Sequence, residues 1–589
     1  MASLSGADAQ TTSPSPATQQ TPGAPPAFGT APAAGPAVTT TTFVEAEKLA
    51  QVTMNQAELQ VAAASWPFVA APMPERRTGP NKLAIPDSVA PYSTWNPLVP
   101  GAPLGPQRDS FIRSGDPGGV SSDSELAFAP VTVLSRMIEG RKLTSERLTR
   151  IYLDRIARYN GKLKCVITAT PELALKQARA ADAEIAAGHY RGPLHGIPWG
   201  GKDLLDTAGI PTTWGAEFYE HRIPAEDAAV VRRLHDAGAV LVAKLSLGAL
   251  ALNDIWFGGQ TKNPWNLDEG ASGSSAGPGS ATAAGLVGFS IGSETGGSIV
   301  APSMRCGVTG LRPTFGRVPR TGAMTLCWSL DKLGPMTRSV EDAMLVLAAI
   351  SGEDAGDFAT QLHPDLAKRV SFDWARSVKG LRVGYFPEWM KSAPATDVDR
   401  HALATLEKLG LEPVPVSIPN WPYASLQTIL FAESAAAFEA ETLDRRIDQL
   451  KEQVPDAWPN VFRLSRFLSA VDMVQADRMR RMVAMEMVRV MSEVDLLLVP
   501  SLRDEMLTIT NFTGHPSLTL RAGYVTVREE RSDWAPNPQQ PLKKFSPPRR
   551  VPHGVTLIGR LFDEATICEV GLALERELQV VQENPPGFA

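Results

Sequence analysis

One stretch, SIGSETGGSIVAPSMRCG from Ser290 to Gly307, limits what this 589-residue chain can fold into more than any other. An apolar, strand-like segment runs into Thr-Gly-Gly-Ser and on into a proline-broken helix start. Paired glycines at a strand-to-helix junction let backbone N–H groups approach something small and negative, and the helix start adds donors of its own. That something is either a phosphate or the oxyanion formed when Ser298 attacks a carbonyl.

The flanking segments alternate in the same way, which predicts an α/β layered core. Strands are predicted at 163–170, 239–245, 287–291, 383–389 and 495–501. Helices are predicted over 131–160 (two of them, the second capped around Thr144 and Ser145), 171–188, 225–237 and 280–286, with a mostly helical region at 426–494. In that region Met479, Met482, Met485, Met487 and Met491 fall at broadly helical spacing and are expected to face the core. Residues 1–42, rich in Ala, Pro and Thr, read as a disordered tail. A helix is expected from Phe43 to about Ser65, then a Pro-rich connector to about residue 125, with the main body from 126 to 589 and a loop insertion around 525–552.

Composition removes several function classes. The net charge is −6, which disfavours a general attraction to nucleic acid. No run of about 18 apolar residues could span a bilayer. The basic cluster PLKKFSPPRR, Pro541 to Arg550, reads as a solvated loop. Cys165, Cys306, Cys327 and Cys568 form no CxxC and no His/Cys cluster, so neither a disulfide framework nor a zinc site is expected. The segment Ala7-Asp8-Ala9 resembles a cleavage site whose upstream part is missing, and it reads equally as flexible tail. A soluble protein, cytoplasmic or exported, is expected.

Three motifs compete for the chemistry. GIPWGGKD (Gly196 to Asp203) fits G-x-x-x-x-G-K, but Asp203 stands where a phosphate loop needs a hydroxyl for magnesium. GSSAG centres Ser275 in a G-x-S-x-G elbow, with His515 and His553 available downstream; the residues before it lack the strand that such an elbow requires. The third candidate joins Lys202, the serine-rich GASGSSAGPGS (Gly270 to Ser280) and the Ser290–Gly307 stretch.

With that third set the chain resembles the amidase signature family, hydrolases with a Ser–cisSer–Lys triad. The residues that carry the resemblance are GIPWGGKD, GSSAGPGS, GSETGGSIVAPSMRCG and VTGLRPTFGRVPRTG. SLDKLGPMTRSVEDAMLVLAAISG (329–352), NFTGHPSLTL (511–520) and GVTLIGRLFDEATICEVGLALE (554–575) agree. The resemblance covers roughly residues 125–580. It implies a central mixed, twisted β-sheet covered by helices on both faces. It also implies Ser298 as nucleophile, Ser274 as the serine after a cis peptide bond, and Lys202 as base. Thr295, Gly296, Gly297 and Ser298 would supply oxyanion-hole N–H groups. No metal or cofactor is implied, and the partner is a small-molecule amide, bound by a monomer or homodimer.

The chemistry requires these residue types. A serine hydroxyl is a weak nucleophile until a base takes its proton, and lysine serves only when neutral. Burial lowers its pKa. Ile197, Pro198, Trp199, Leu204 and Leu205 offer apolar surroundings, and in an extended segment Asp203 points to the opposite face. Ser274 would relay the proton, because a hydroxyl both donates and accepts. Ala276 and Pro278 depart from the family's usual Gly and Ser. Val300 and Ala301 stand where many members carry arginine, the nearest here being Arg305, so neutral and apolar acyl groups are expected. Aryl or alkyl amides head the expected substrates, with esters or carbamates also open. The alternatives are a Ser275 esterase and an amidotransferase A-type subunit.

Overall fold

The computed structural model describes residues 33–51, 53–69, 71, 95–115, 119–534 and 541–588. The chain divides into two units, Met1–Pro86 and Asp87–Ala589. In the first, two helices, Thr40–Ala50 and Gln56–Val69, replace the single expected one. Thr39 caps the first by accepting from Thr42 N–H, and Gln51 ends it in the left-handed region at φ 54°. Asn55 Oδ1 then accepts from the N–H groups of Ala57 and Glu58, so a new helix starts where one was expected to continue. The helical start at Thr40 also shortens the expected tail, whose residues 1–32 lie outside the described residues.

The second unit is built on eleven strands: β1 Val166–Ala169, β2 Pro198–Lys202, β3 Val240–Leu245, β4 Phe289–Glu294, β5 Thr309–Arg312, β6 Lys332–Thr337, β7 Arg382–Tyr385, β8 Glu412–Pro415, β9 Leu496–Pro500, β10 Ser517–Glu529 and β11 Lys544–Gly559. They form one sheet in the order β8-β7-β9-β11-β10-β5-β6-β4-β2-β3-β1. The β4-β2-β3 segment is parallel, as is β9-β7-β8, and the strands between are antiparallel. The sheet is mixed and flanked by helices.

Strands buried on both faces need nearly continuous apolar sequence, which VLVAKL in β3 and LLLVP in β9 supply; every residue of both is buried. Trp199 of β2 stacks on Phe289 of β4 with ring centroids 6.1 Å apart. Burying two such rings contributes about 3–6 kcal/mol. Thr144 caps the helix Ser145–Leu163 by accepting from Arg147 N–H.

Four further expectations change. The connector does not end at residue 125 as a separate segment: Phe111–Ile112 pairs in parallel with Phe372–Asp373 of the body, and Ser122 with Glu125 boxes the helix Asp123–Phe128. Residues 72–94 and 116–118 of it lie outside the described residues. The 525–552 insertion is largely not a loop, because β10 extends into it as far as Glu529 and β11 runs from Lys544 onward, forming a long hairpin arm. Residues 530–534 and 541–543 between them are not strand, and 535–540 lie outside the described residues. The basic cluster is correspondingly strand from Lys544 onward. Pro547 and Pro548 are tolerated there because they fall where the ladder register shifts, between the Val527–Arg549 and Glu529–Lys544 pairs, so no ladder donor is lost.

The methionine stripe also splits. Met487 and Met491 are buried, whereas Met482 and Met485 are 53% and 57% exposed. Five and two residues from Met487, they are turned away by about 140° and 160° around the helix Ala470–Glu493. Among the described residues no helix is long and apolar enough to cross a membrane.

Candidate active site

Lys202 ends β2 and is fully buried. Its Nζ lies 2.8 Å from Ser274 Oγ, 2.8 Å from Ser293 Oγ and 3.0 Å from Ser275 Oγ. Three hydroxyl oxygens surround the amine, and among the described residues no carboxylate touches it. Burial pushes its pKa well below the ordinary lysine value, opposed by the more distant charges of Asp331 and Glu294. A hydroxyl shell suits either protonation state, since one serine can donate to the lone pair of a neutral amine while the others accept its N–H groups, and all three can accept from a charged one.

Both opposing carboxylates are engaged elsewhere. Asp331 accepts from Thr295 Oγ1 at 2.6 Å and from the N–H groups of Leu326 and Cys327. Glu294 accepts from Arg312 Nη1 at 2.6 Å, from Asn511 Nδ2 at 3.0 Å, and from the N–H groups of Ile299 and Val300. These two anchors clamp the turn between β4 and the helix Val300–Cys306 from both sides. Asp203, next to Lys202, faces away and pairs with Lys244 at 3.0 Å and Thr213 Oγ1 at 2.6 Å.

The serine loop is equally confined. The Gly273–Ser274 peptide is cis. A Cβ on Gly273 would lie 1.7 Å from Asn253 O, so only glycine fits. Ser275 is fully buried. It accepts from Ser293 N–H, donates to Ser293 O, and its own N–H donates to Ser298 O at 3.2 Å. That last bond holds the Ser274 loop against the Ser298 turn, although among the described residues no hydrogen bond joins the two hydroxyls themselves.

Ser298 is half-buried, behind an exposed Gly296. Gly297 takes φ 135°, which only glycine adopts readily, and Leu507 Cδ2 stands 3.0 Å from where its Cβ would be. The N–H groups of Thr295, Gly296, Gly297 and Ser298 donate to no acceptor found among the described residues. Four free donors beside a half-exposed hydroxyl can receive an oxyanion.

The rival motifs come apart here. Pro198–Lys202 of GIPWGGKD is a buried strand within the sheet, with no loop to wrap a phosphate. Ser275 follows a short strand, Asn266–Gly270, but that strand pairs only with Lys262–Asn263 outside the central sheet. His515 is pushed down to about 3 by burial and the Arg312 charge, and its Nδ1 shares a hydrogen bond with Thr513 Oγ1; His553 Nε2 lies 2.8 Å from Asp399. Neither reaches Ser275. Among the described residues no cluster of His, Cys, Asp or Glu could hold a metal ion.

Sequence reasoning missed Ser293, the Glu294–Arg312–Asn511 network and Asp331. Ser293 and Glu294 were within reach, because both lie inside the GSETGGS motif. Arg305 is buried and turned toward Asp533, 2.9 Å away. Val300 and Leu507 line one shallow cavity beside the turn with Met506 and Arg503.

The chain is similar to several known proteins. A "Putative amidase AmiD" of Mycobacterium tuberculosis is 36% identical over 474 residues, covering 77% of this chain and 95% of that protein. A glutamyl-tRNA(Gln) amidotransferase subunit of Moorella thermoacetica is 32% identical over 494 residues, covering 78% of this chain and 99% of the other. The native peptide amidase from Stenotrophomonas maltophilia superposes with a TM-score of 0.67 at 29% identity, covering 79% of this chain and 99% of that one. The family model described as Amidase matches residues 147–568, so this chain belongs to the amidase family and is a hydrolase acting on amides.

Proposed function

We propose that the chain is a stand-alone amidase that cleaves linear carboxylic amides through a seryl acyl-enzyme. Ser298 is the nucleophile, Ser274 the proton relay and Lys202 the base. Ser298 Oγ bonds to the amide carbonyl carbon as its proton passes to Ser274 Oγ and Ser274's own proton passes to Lys202 Nζ. The carbonyl oxygen takes the negative charge and is met by the N–H groups of Thr295, Gly296, Gly297 and Ser298. The proton returns by the same route to the nitrogen, the C–N bond breaks and an amine or ammonia leaves. Water then attacks the ester, giving its proton to the relay, and the carboxylic acid departs with Ser298 restored.

The observation that carries this reading is the environment of Lys202: buried, ringed by serine hydroxyls and without a carboxylate contact. Burial holds the pKa of an amine so placed well below the ordinary lysine value, which favours the neutral form that can accept a proton. Val300 and the half-buried Leu507 beside Gly297 support a preference for neutral, apolar acyl groups. Intact mass after treatment with a fluorophosphonate tests the reading. One adduct on the wild-type chain and none on Ser298→Ala or Lys202→Ala is expected; an adduct that persists on Ser298→Ala rules Ser298 out. The purified chain should turn over simple amides with no other protein added, which a component of an amidotransferase complex would not do.

A further inference from the structure

The hairpin arm of β10 and β11 returns near its tip to the serine loop. Arg531 pairs with Glu269, and its carbonyl accepts from Arg305 Nη1 at 2.6 Å. Asp533 then places one oxygen on each side of a junction. Its Oδ1 lies 2.9 Å from Arg305 Nη2, and its Oδ2 accepts from Gly273 N–H at 3.1 Å. Its backbone carbonyl accepts from Asn253 Nδ2 at 3.3 Å, the residue whose carbonyl closes over Gly273. One step earlier Asp254 Oδ2 accepts from Ser272 N–H at 3.2 Å.

We propose that Asp533 is a positioning residue for Ser274. The two peptide N–H groups leading to Ser274 are thus each held by a carboxylate, one from the body and one from the arm. Arg305, buried and bonded also to Gly270 O, fixes the rotation of the Asp533 carboxylate, so the grip on Gly273 has a single geometry. Ser274 Oγ must stay in register with Lys202 and swing within reach of Ser298, and displacement of a relaying group by about 1 Å can cost about 10²-fold in rate. Asp533 touches neither substrate nor reacting atoms; it acts through Gly273. The proposal rests on the reading of Ser274 as relay.

The test compares Asp533→Ala with Lys543→Ala/Arg549→Ala. The latter pair binds the arm to Asp268 without touching the serine loop. Substrates are a panel of neutral alkyl and aryl amides, with fluorophosphonate labelling rate as a second readout. For Asp533→Ala, kcat and labelling rate should fall about 10- to 100-fold with KM within about twofold, while the arm control keeps kcat within about twofold. Undiminished kcat in Asp533→Ala, or an equal fall in the control, overturns the proposal. A Ser298→Ala chain that still turns over the amides overturns the triad reading and this proposal with it; an inert Ser298→Ala beside a fully active Asp533→Ala removes this proposal alone.

Discussion

Lys202 and Lys244 occupy neighbouring strands, with Gly201 directly opposite Lys244 in the parallel β2–β3 ladder, and both are completely buried. Their partners differ. Lys244 Nζ meets the Asp203 carboxylate at 3.0 Å and Thr212 Oγ1 at 2.6 Å, whereas Lys202 Nζ meets three serine hydroxyls. Burial lowers the pKa of both, but for Lys244 the adjacent Asp203 charge opposes it directly; for Lys202 the opposing charges are remote and already hydrogen-bonded. On the proposed reading Lys244 is a structural ion-pair partner and Lys202 is the base. The contrast comes from which side of an extended strand each residue faces, not from burial or residue type.

The largest effect that could break this comparison concerns rate. Lys202→Met keeps the volume and removes the base, so kcat should fall about 10²–10⁴-fold. Its thermal midpoint should hold or rise, because a buried amine with no ion-pair partner gives way to an apolar chain. Initial rates on a neutral amide decide it. A loss smaller than tenfold would leave Lys202 without its assigned role.

Lys244→Met should do the reverse. It strands the Asp203 carboxylate in the interior, and breaking a buried pair in this way costs about 3–5 kcal/mol. Urea unfolding measures that loss, and activity per folded molecule should stay within a few-fold of wild type. Adding Asp203→Asn should recover part of the stability, since Thr213 still satisfies the amide oxygen. If Lys244→Met instead abolishes turnover while stability is unchanged, the two lysines have been assigned the wrong way round.

What could be read in the sequence follows the same line between local and long-range determinants. Lys202, Ser274 and Ser298 each sit in a compact motif, so their proximity follows from the family resemblance even though 72 and 24 residues separate neighbours. Core strands such as VLVAKL in β3 and LLLVP in β9 announce themselves as apolar runs. By contrast, PWGGK in β2, TGLR in β5 and KLGPMT in β6 are buried just as fully but carry glycine, proline or charge and give no such signal. The Glu294–Arg312–Asn511 network joins elements more than 200 residues apart in the chain, and no local pattern marks Asn511 as the partner. The arm was misread because Pro547 and Pro548 signal a loop; only the ladder register shows that they fall at an irregularity. The single helix expected from Phe43 failed on one residue, Asn55, whose capping side chain competes with continuation. Met482 and Met485 failed because helical spacing alone does not say which face is inward.

The pH dependence sharpens the comparison at a smaller scale. An unfolded chain protonates residue 202 up to about 10.5, while the folded chain releases that proton once pH passes the depressed value. Between those two limits the unfolded state binds more protons, so stability rises with pH. Replacing Lys202 with Met removes that contribution, and within the window the wild-type-minus-variant difference should climb by about 1.4 kcal/mol per pH unit. Urea midpoints taken at stepped pH test this. In the same chain kcat/KM should rise with pH through the depressed lysine pKa and then level, because only the neutral amine accepts a proton. A flat stability difference would place residue 202 in the ordinary lysine range.

Ser293→Ala probes the hydroxyl shell itself. Ser293 donates nothing to the proposed relay, yet its oxygen lies 2.8 Å from the Lys202 amine, as near as Ser274 does. Removing it withdraws one acceptor from the charged form, worth about 1 kcal/mol, so the Lys202 pKa should fall further and the rising limb of kcat/KM should move toward acid. On the plateau kcat should drop only a few-fold, because the proposed relay through Ser274 is left in place. The two remaining hydroxyls then carry the amine unaided, whereas Lys244 would feel nothing, its carboxylate being untouched on the other face. A limb that moves toward alkali, or a loss as deep as that of Lys202→Met, would mean that Ser293 carries the proton and Ser274 does not.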